Sequence, residues 1–483
     1  MTAIPLKLYD SLRQKKLEFQ PRAGNRVTIY CCGPTVYGLI HIGNCRPPIV
    51  LDLLARTLRG AGFDPHVARN YTDIDDKIIA VAQKNNESAD QVAARFTETY
   101  EREMKALKIV EPQHKPKATQ TISEMIQMIE GLQKKGLAYP VKTSFGTDMY
   151  FRVSEFKDYG KLSKRKIDDM IAGNRIDVDE KKEHPADFAL WKASKPGEPS
   201  WETPWGAGRP GWHLECSAMI EQIFPEGLDI HMGGIDLLFP HHENEIAQSE
   251  GLKQKPLASF WIHNGLLEFG QAKMSKSLGN LVLAHEFFTN YGADVLRILM
   301  LQAHYRSPLD ASDENFERAE SMLQRLYVCK EVAEKVAIDS PSEELPPELQ
   351  RLTERCEEAL LDDLNSAKAL GYVLSAARVC FRTQKPSHWA AWKQIISWMN
   401  DRLGLLEEIP STALAQIFAR RLHRFGMTEK DAKEIDLQLK ERERLRAEKN
   451  FAAGDQIRKN LESRGVIVMD GPDGTAWSMK RGV

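Results

Sequence analysis

Val27-Thr28-Ile29-Tyr30-Cys31-Cys32-Gly33-Pro34-Thr35 is the stretch whose reading decides the fold. Its first six residues form an apolar, β-branched run, which predicts a buried strand, and Gly33-Pro34-Thr35 ends it. Downstream, Leu51, Leu54, Ala55 and Leu58 recur at helical spacing within Ile49 to Leu58. Pro47 and Pro48 are tolerated only in a first helical turn, so the helix begins there. His66 to Tyr71 reads as the next strand. Strand, helix and strand in this order predict a βαβ unit of a parallel sheet.

Farther along, Asp229-Ile230-His231-Met232 resumes the sheet and His242 to Gln248 opens another helix. Between these halves, prolines punctuate residues 112–210, and Trp191, Trp201, Trp205 and Trp212 cluster near the end of that region. That texture predicts an insertion returning through an aromatic loop. From Glu314 onward helical periodicity dominates, broken at Ser340 to Pro347 and at Glu408 to Ser411. A charged helix is expected over Ala432 to Lys449, and Val466 to Trp477 reads as a hairpin. The expected architecture is α/β. A Rossmann-like parallel-sheet catalytic domain (1–111 and 211–313) is split by a connective insertion (112–210). A helical bundle (314–425) and a small mixed α/β domain (426–483) follow.

The chain has 483 residues, 42% hydrophobic and 28% charged, the balance of an ordinary globular protein. No apolar run approaches the ~18 residues of a membrane span, and Met1 to Tyr9 lacks a signal-peptide core. The expectation is a cytoplasmic protein. Seven cysteines form no framework, which fits a reducing compartment where a special cysteine is a metal ligand or a reactive group. With a net charge of −2, any RNA partner must be held by local patches.

Two short motifs carry chemistry. His41-Ile42-Gly43-Asn44 lies between the first strand and its helix, where unpaired backbone N–H groups attract phosphate. Gly43 permits close approach of a nucleotide, and His41 can donate to an α-phosphate. Alone, the motif also reads as a surface histidine in a glycine turn. Lys273-Met274-Ser275-Lys276-Ser277 is a cationic, hydroxyl-rich loop suited to a triphosphate. Lys276 is the principal phosphate contact and Lys273 assists, although a solvated Lys/Ser loop is common. In this order the pair resembles the two signatures of class I aminoacyl-tRNA synthetases. The first signature ordinarily ends in a second histidine. Asn44 stands there instead, able to donate a hydrogen bond but not to carry charge.

His241 and Glu245 are four apart and share a helix face. Cys32 ends the first strand, and Cys216 lies in Gly211-Trp212-His213-Leu214-Glu215-Cys216-Ser217. All four are zinc-competent, but they show no short zinc spacing, and an unspaced cysteine is ordinarily a small core residue.

Further stretches resemble the cysteinyl-tRNA synthetase family over nearly the whole chain. They are Cys32 to Tyr37, Asn70 to Lys77, Trp205 to Ser217, Phe239 to Gln248, the lysine loop and Gly471 to Trp477. The resemblance implies one Zn²⁺ per chain on Cys32, Cys216, His241 and Glu245. It implies an amino-acid pocket at Thr72, Trp212, His231 and Asp236, with Asp236 facing the α-ammonium and Trp212 either walling the pocket or packing in the core. ATP, taken with Mg²⁺, would meet His41, Gly43, Asn44 and Lys276. L-cysteine and tRNA-Cys would be the other partners, no membrane is implied, and the chain would be a monomer. Arg446, Asp455 and Asp470 fall where the family reads the anticodon, and Trp477 is read as a hairpin core residue rather than a stacking surface. Cys31 should face away from Cys32 along the strand, and His242 and Glu243 should point to other helix faces. A related ligase that hands cysteine to a small amine and a non-catalytic tRNA-binding paralogue are the rival readings.

Overall fold

The structure, a computed structural model, describes residues 4–165, 182–269, 272–273, 281–336, 345–471 and 474–479. A four-stranded sheet forms its centre, with the strands Ala258–Asn264, Leu228–Gly234, Arg26–Cys31 and Asp64–Arg69 side by side in that order. All three pairings are parallel. The apolar run at 27–31 suits the middle of such a sheet because both faces are covered. Chain order reverses between Arg26–Cys31 and Leu228–Gly234, and ligands bind outside the carboxyl ends of strands at such a point.

The connecting helix spans Arg46–Gly60, with prolines in its first turn. It buries Ile49, Leu51, Leu54 and Leu58 against the sheet, each contributing roughly 1.5–3 kcal/mol. The second strand runs Asp64–Arg69, two residues earlier than its apolar run suggests. The helix expected from His242 spans Glu243–Lys253 and is entered through a π turn, Leu238–His242.

Between the two halves of the sheet, Ala138–Lys142, Thr147–Phe151, Phe188–Ala193 and Gly208–Pro210 form a separate antiparallel sheet. Trp191 is fully buried there and meets Trp205 edge-on. Helices Asp313–Lys335, Pro347–Leu361, Ser366–Thr383, Pro386–Leu403 and Pro410–Arg424 follow. Residues 337–344, which overlap the expected break at Ser340 to Pro347, lie outside the described residues.

A buried charge cluster fastens the helix Pro386–Leu403 to the helix Arg46–Gly60. Asp52 accepts from Arg56 Nε at 2.8 Å and from Arg297, while Arg297 also donates to Leu403 O and Leu107 O. The chain closes with helices Glu429–Ala447 and Phe451–Ser463 and the hairpin Val466–Gly471/Gly474–Met479. The charged helix starts three residues before its expected position because Thr428 caps it reciprocally with Asp431. Ile435, Leu439, Leu461, Val466 and Val468 are the core of this small unit. Among the described residues, no helix is long and apolar enough to cross a membrane.

Candidate active site

A cavity of about 390 Å³ opens at the carboxyl ends of the central strands. Gly43, Asn44, Thr72, Trp212, Cys216, Asp236 and His241 all line it, together with Cys32 and His41.

On one side lies the 3₁₀ turn Ile42–Cys45, capped by His41. The Gly43 N–H donates to His41 Nδ1 at 3.1 Å, and the His41 N–H donates to Asn44 Oδ1 at 3.1 Å. A ring nitrogen that accepts leaves the proton of neutral imidazole on Nε2. Asn44 therefore holds the turn closed. The turn is fixed to a distant segment: Ile42 N donates to Val282 O at 3.0 Å, Ala284 N to Ile40 O at 2.9 Å, and His41 bridges Leu283. The backbone of Lys273 pairs with Glu268 in a short hairpin. Lys276 lies outside the described residues.

At the base, four side chains from three segments meet. Cys32 and Cys216 bring their sulfurs to 3.7 Å, Glu245 Oε1 stands 3.4 Å from Cys32 Sγ, and His241 Nε2 stands 2.8 Å from Glu245 Oε1. All four are buried, and their ligand atoms lie within 4.8 Å of one another. Two sulfurs ~2.3 Å from a tetrahedral zinc stand ~3.8 Å apart, and a sulfur and a carboxylate oxygen ~3.5 Å apart. The observed spacings match both, so this donor set fits the ion.

The protons of the cluster tell the same story. Burial pushes the Cys32 thiol well up, and its hydrogen bond to Cys216 brings that thiol down to about 6. Burial opposes the charge on Glu245, yet the His231 and His241 imidazoles hold its carboxyl well below the usual range. Burial likewise opposes a charge on His241, but Glu245 and Cys216 raise it to about 10. The Cys216 thiolate and the Glu245 carboxylate thus share the His241 imidazolium as a partner.

Not every expected residue faces the cavity. His231 is fully buried, stacked on Trp261 at 4.5 Å, with Nε2 2.5 Å from Glu245 Oε2. It steadies Glu245 from behind. Trp212 is 40% exposed, which excludes core burial, and its ring lies 4.4 Å from that of His241. Thr72 Oγ1 donates to the buried Glu215 at 2.8 Å. Glu243 turns away, as expected, and accepts from the Leu162 and Ser163 N–H groups. His242 does not turn away. Its Nε2 lies 3.3 Å from Cys32 Sγ, and its Nδ1 meets His263 at 2.8 Å. The π turn breaks the rotation of an α-helix, so the helical-face rule fails there. Cys31 is buried in the core beneath the helix Arg46–Gly60, while Cys32 packs with the other core.

In the small terminal unit, Arg446 and Asp455 stand 3.7 Å apart on the surface. Asp470 is engaged by both terminal nitrogens of Arg442, at 2.6 and 2.8 Å, and Arg442 carries no sequence signal that singles it out. Trp477 is half-buried against the hairpin core and donates from Nε1 to Asp436.

Residues 18–321 match the family model described as the tRNA synthetases class I (C) catalytic domain, and residues 428–477 match the cysteinyl-tRNA ligase anticodon binding domain. A cysteine–tRNA ligase of Geobacter sp. (strain M21) is 42% identical, over 99% of this chain and all of that one. The chain belongs to the cysteine–tRNA ligase family. Another member, from Geobacter metallireducens, is 44% identical over 98% of this chain and its own full length. Cysteine–tRNA ligases are class I aminoacyl-tRNA synthetases, so this chain is a ligase. Its fold is shared with Mycobacterium tuberculosis methionyl-tRNA synthetase in complex with methionyl-adenylate. That likeness has a TM-score of 0.59 at 14% identity and covers 81% of this chain and 93% of that one.

Proposed function

We propose that the chain activates L-cysteine with ATP and Mg²⁺ and transfers it to tRNA-Cys, acting as a cytoplasmic monomer. The observation that carries this reading is the convergence of Cys32, Cys216, His241 and Glu245, with ligand atoms within 4.8 Å of one another, beside a cavity that the His41–Asn44 turn also lines.

In the first step a cysteine carboxylate oxygen attacks the α-phosphorus, and pyrophosphate leaves with the electrons of the broken P–O bond. His41 orients the α-phosphate by donating from Nε2, while Lys273 and Lys276 meet the charge that develops on the polyphosphate. Preorganised donors of this kind are each worth ~3–4 kcal/mol. Asp236 meets the substrate ammonium, and Trp212 and Thr72 wall the amino acid. In the second step a ribose hydroxyl of the terminal tRNA adenosine attacks the carbonyl, and AMP leaves. Proximity and charge suffice, with no covalent enzyme intermediate. Arg446, Asp455 and Asp470 belong to the surface that reads the anticodon, where base edges are recognised by hydrogen bonds.

Cysteine and serine differ by one atom, which pocket shape alone separates poorly. Zinc bound by Cys32, Cys216, His241 and Glu245 would supply a soft site that favours a thiolate over an alcohol. The matched terminal domain argues against a ligase that serves a small amine. The intact donor set argues against a non-catalytic paralogue.

Pyrophosphate exchange with cysteine and serine, metal content, and charging of purified tRNA-Cys together test the reading. Exchange with cysteine only, about one zinc per chain, and charged tRNA are expected. A zinc-free protein that still strongly prefers cysteine overturns the selectivity mechanism, and exchange without charging favours the small-amine ligase.

A further inference from the structure

Five arginines are buried among the described residues: Arg46, Arg69, Arg209, Arg297 and Arg442. Three of them answer to carboxylates. Arg209 pairs with Asp76 and Glu198, Arg297 with Asp52, and Arg442 with Asp470. The other two, Arg46 and Arg69, form no ion pair among the described residues, and both stand beside the cavity.

Arg46 is the first residue of the helix that follows the His41–Asn44 turn. Its guanidinium donates only to carbonyls, to Leu266 O and Ser307 O at 2.6 Å and to His304 O at 3.4 Å, and its Nε has no partner. A cation in the first turn of a helix opposes the macrodipole, so its place there does not serve the helix. Burial draws Arg46 down to about 10, which leaves it charged at neutral pH.

Arg69 ends the strand Asp64–Arg69 and lines the cavity. It is 3% exposed, and neither Nε nor Nη1 has a hydrogen-bond partner. Phenols stand where a carboxylate would be expected: the guanidinium is hydrogen-bonded to the Tyr71 hydroxyl and lies 5.2 Å from the Tyr100 ring centroid, and Tyr71 meets Tyr100 edge-on. The titratable groups around it are Cys31, Tyr71, Tyr100 and Glu101. Glu101 is already engaged by the Tyr71 hydroxyl and by Lys115.

A buried charge without its counter-ion is costly, and a fold that pairs its other buried guanidinium groups has the means to pair these. We infer that Arg46 and Arg69 are left without carboxylates so that the polyphosphate of ATP supplies the missing negative charge. The two are positioning residues. They set a fixed positive potential behind the phosphate turn, in a low-dielectric setting where salt screens little, and they do not touch the reacting atoms. ATP fits better than the amino acid because Arg46 directly follows the turn that carries His41, the proposed α-phosphate donor, and because ATP carries the larger charge. The inference rests on the ATP-dependent activation proposed above.

The test compares Arg69→Met and Arg69→Lys with the parent full-length chain. Thermal melting is recorded without ligand, and the Kd values of ATP and of cysteine are measured separately by calorimetry. Arg69→Met should fold and melt no lower than the parent, because an uncompensated charge is gone. Its Kd for ATP should rise about tenfold or more, ~1.4 kcal/mol of affinity per decade, while that for cysteine stays within about twofold. Arg69→Lys should restore ATP binding to within about threefold, and Arg46→Lys should also keep ATP affinity while melting lower, having lost carbonyl bonds. A methionine variant that fails to fold, melts below the parent, or binds ATP as the parent does overturns the inference. Equal losses for ATP and cysteine do so too. A parent chain that binds no ATP at all is a different failure, that of the underlying functional reading.

Discussion

The Cys32 and Cys216 sulfurs lie 3.7 Å apart although 184 positions separate them in sequence. That spacing also fits two thiolates on one tetrahedral ion. Replacing one should remove a ligand rather than loosen a shell. Cys216→Ser should therefore lose zinc affinity by more than the ~10–100-fold that follows loss of an outer hydrogen-bond partner. Competition with a chromophoric chelator measures it. Unchanged zinc stoichiometry and affinity would remove Cys216 from the ligand set.

Outer partners make a graded prediction. His231 meets one oxygen of Glu245 while His241 meets the other. His231→Ala should retain zinc but bind it about 10–100-fold more weakly, with cysteine activation falling alongside. Full loss of the metal in this variant would place His231 among the ligands instead.

Trp212 is partly exposed, so its truncation should leave the melting temperature nearly unchanged. Trp212→Ala should raise the KM for cysteine and not that for ATP in pyrophosphate exchange, and Asp236→Asn should show the same split. Equal losses for both substrates would contradict these placements.

Asp52 is the only carboxylate among the described residues that pairs with the buried Arg297. Asp52→Ala strands that guanidinium and should cost about 3–5 kcal/mol of stability, read by denaturant unfolding. A loss below ~1 kcal/mol would show that the carbonyl contacts of Arg297 suffice.

Glu103 gives a pH dependence. Both of its carboxyl oxygens are buried without a partner, and burial raises it from 4.5 to about 7. Below pH 4.5 both the folded and unfolded chains hold this proton. Between 4.5 and 7 only the unfolded chain releases it, so its contribution to stability falls as pH rises, and above 7 the full penalty applies. Glu103→Gln should therefore raise the melting temperature at pH 8.5 and change little at pH 4.5. A gain that is equal at both values would rule out ionisation as the cause.

The sheet was legible because its signals are local. The β-branched run at 27–31, the paired prolines and the helical repeat through Leu58 each fix one element, and together they fix a βαβ unit. The metal set was not legible from spacing. Cys32 and Cys216 sit on a strand end and on the helix Trp212–Ile223, and only the sheet order brings them together. Family resemblance supplied those four residues, whereas the helical-face rule misjudged His242, because an extra residue in the turn before Glu243 carries its ring back toward Cys32. Arg46, Arg69 and Arg442 lay hidden for another reason. Arginine is ordinarily a surface residue, and nothing in a one-dimensional pattern marks the few that the fold encloses.

The interleaving of the two sheet halves also dictates an order of events during synthesis. Glu245 emerges from the ribosome 213 residues after Cys32, so the nascent chain carries an unguarded thiol through nearly half of its own translation. Capture of an ion by this donor set would have to await Glu245, and it would report that both halves of the nucleotide fold have found each other.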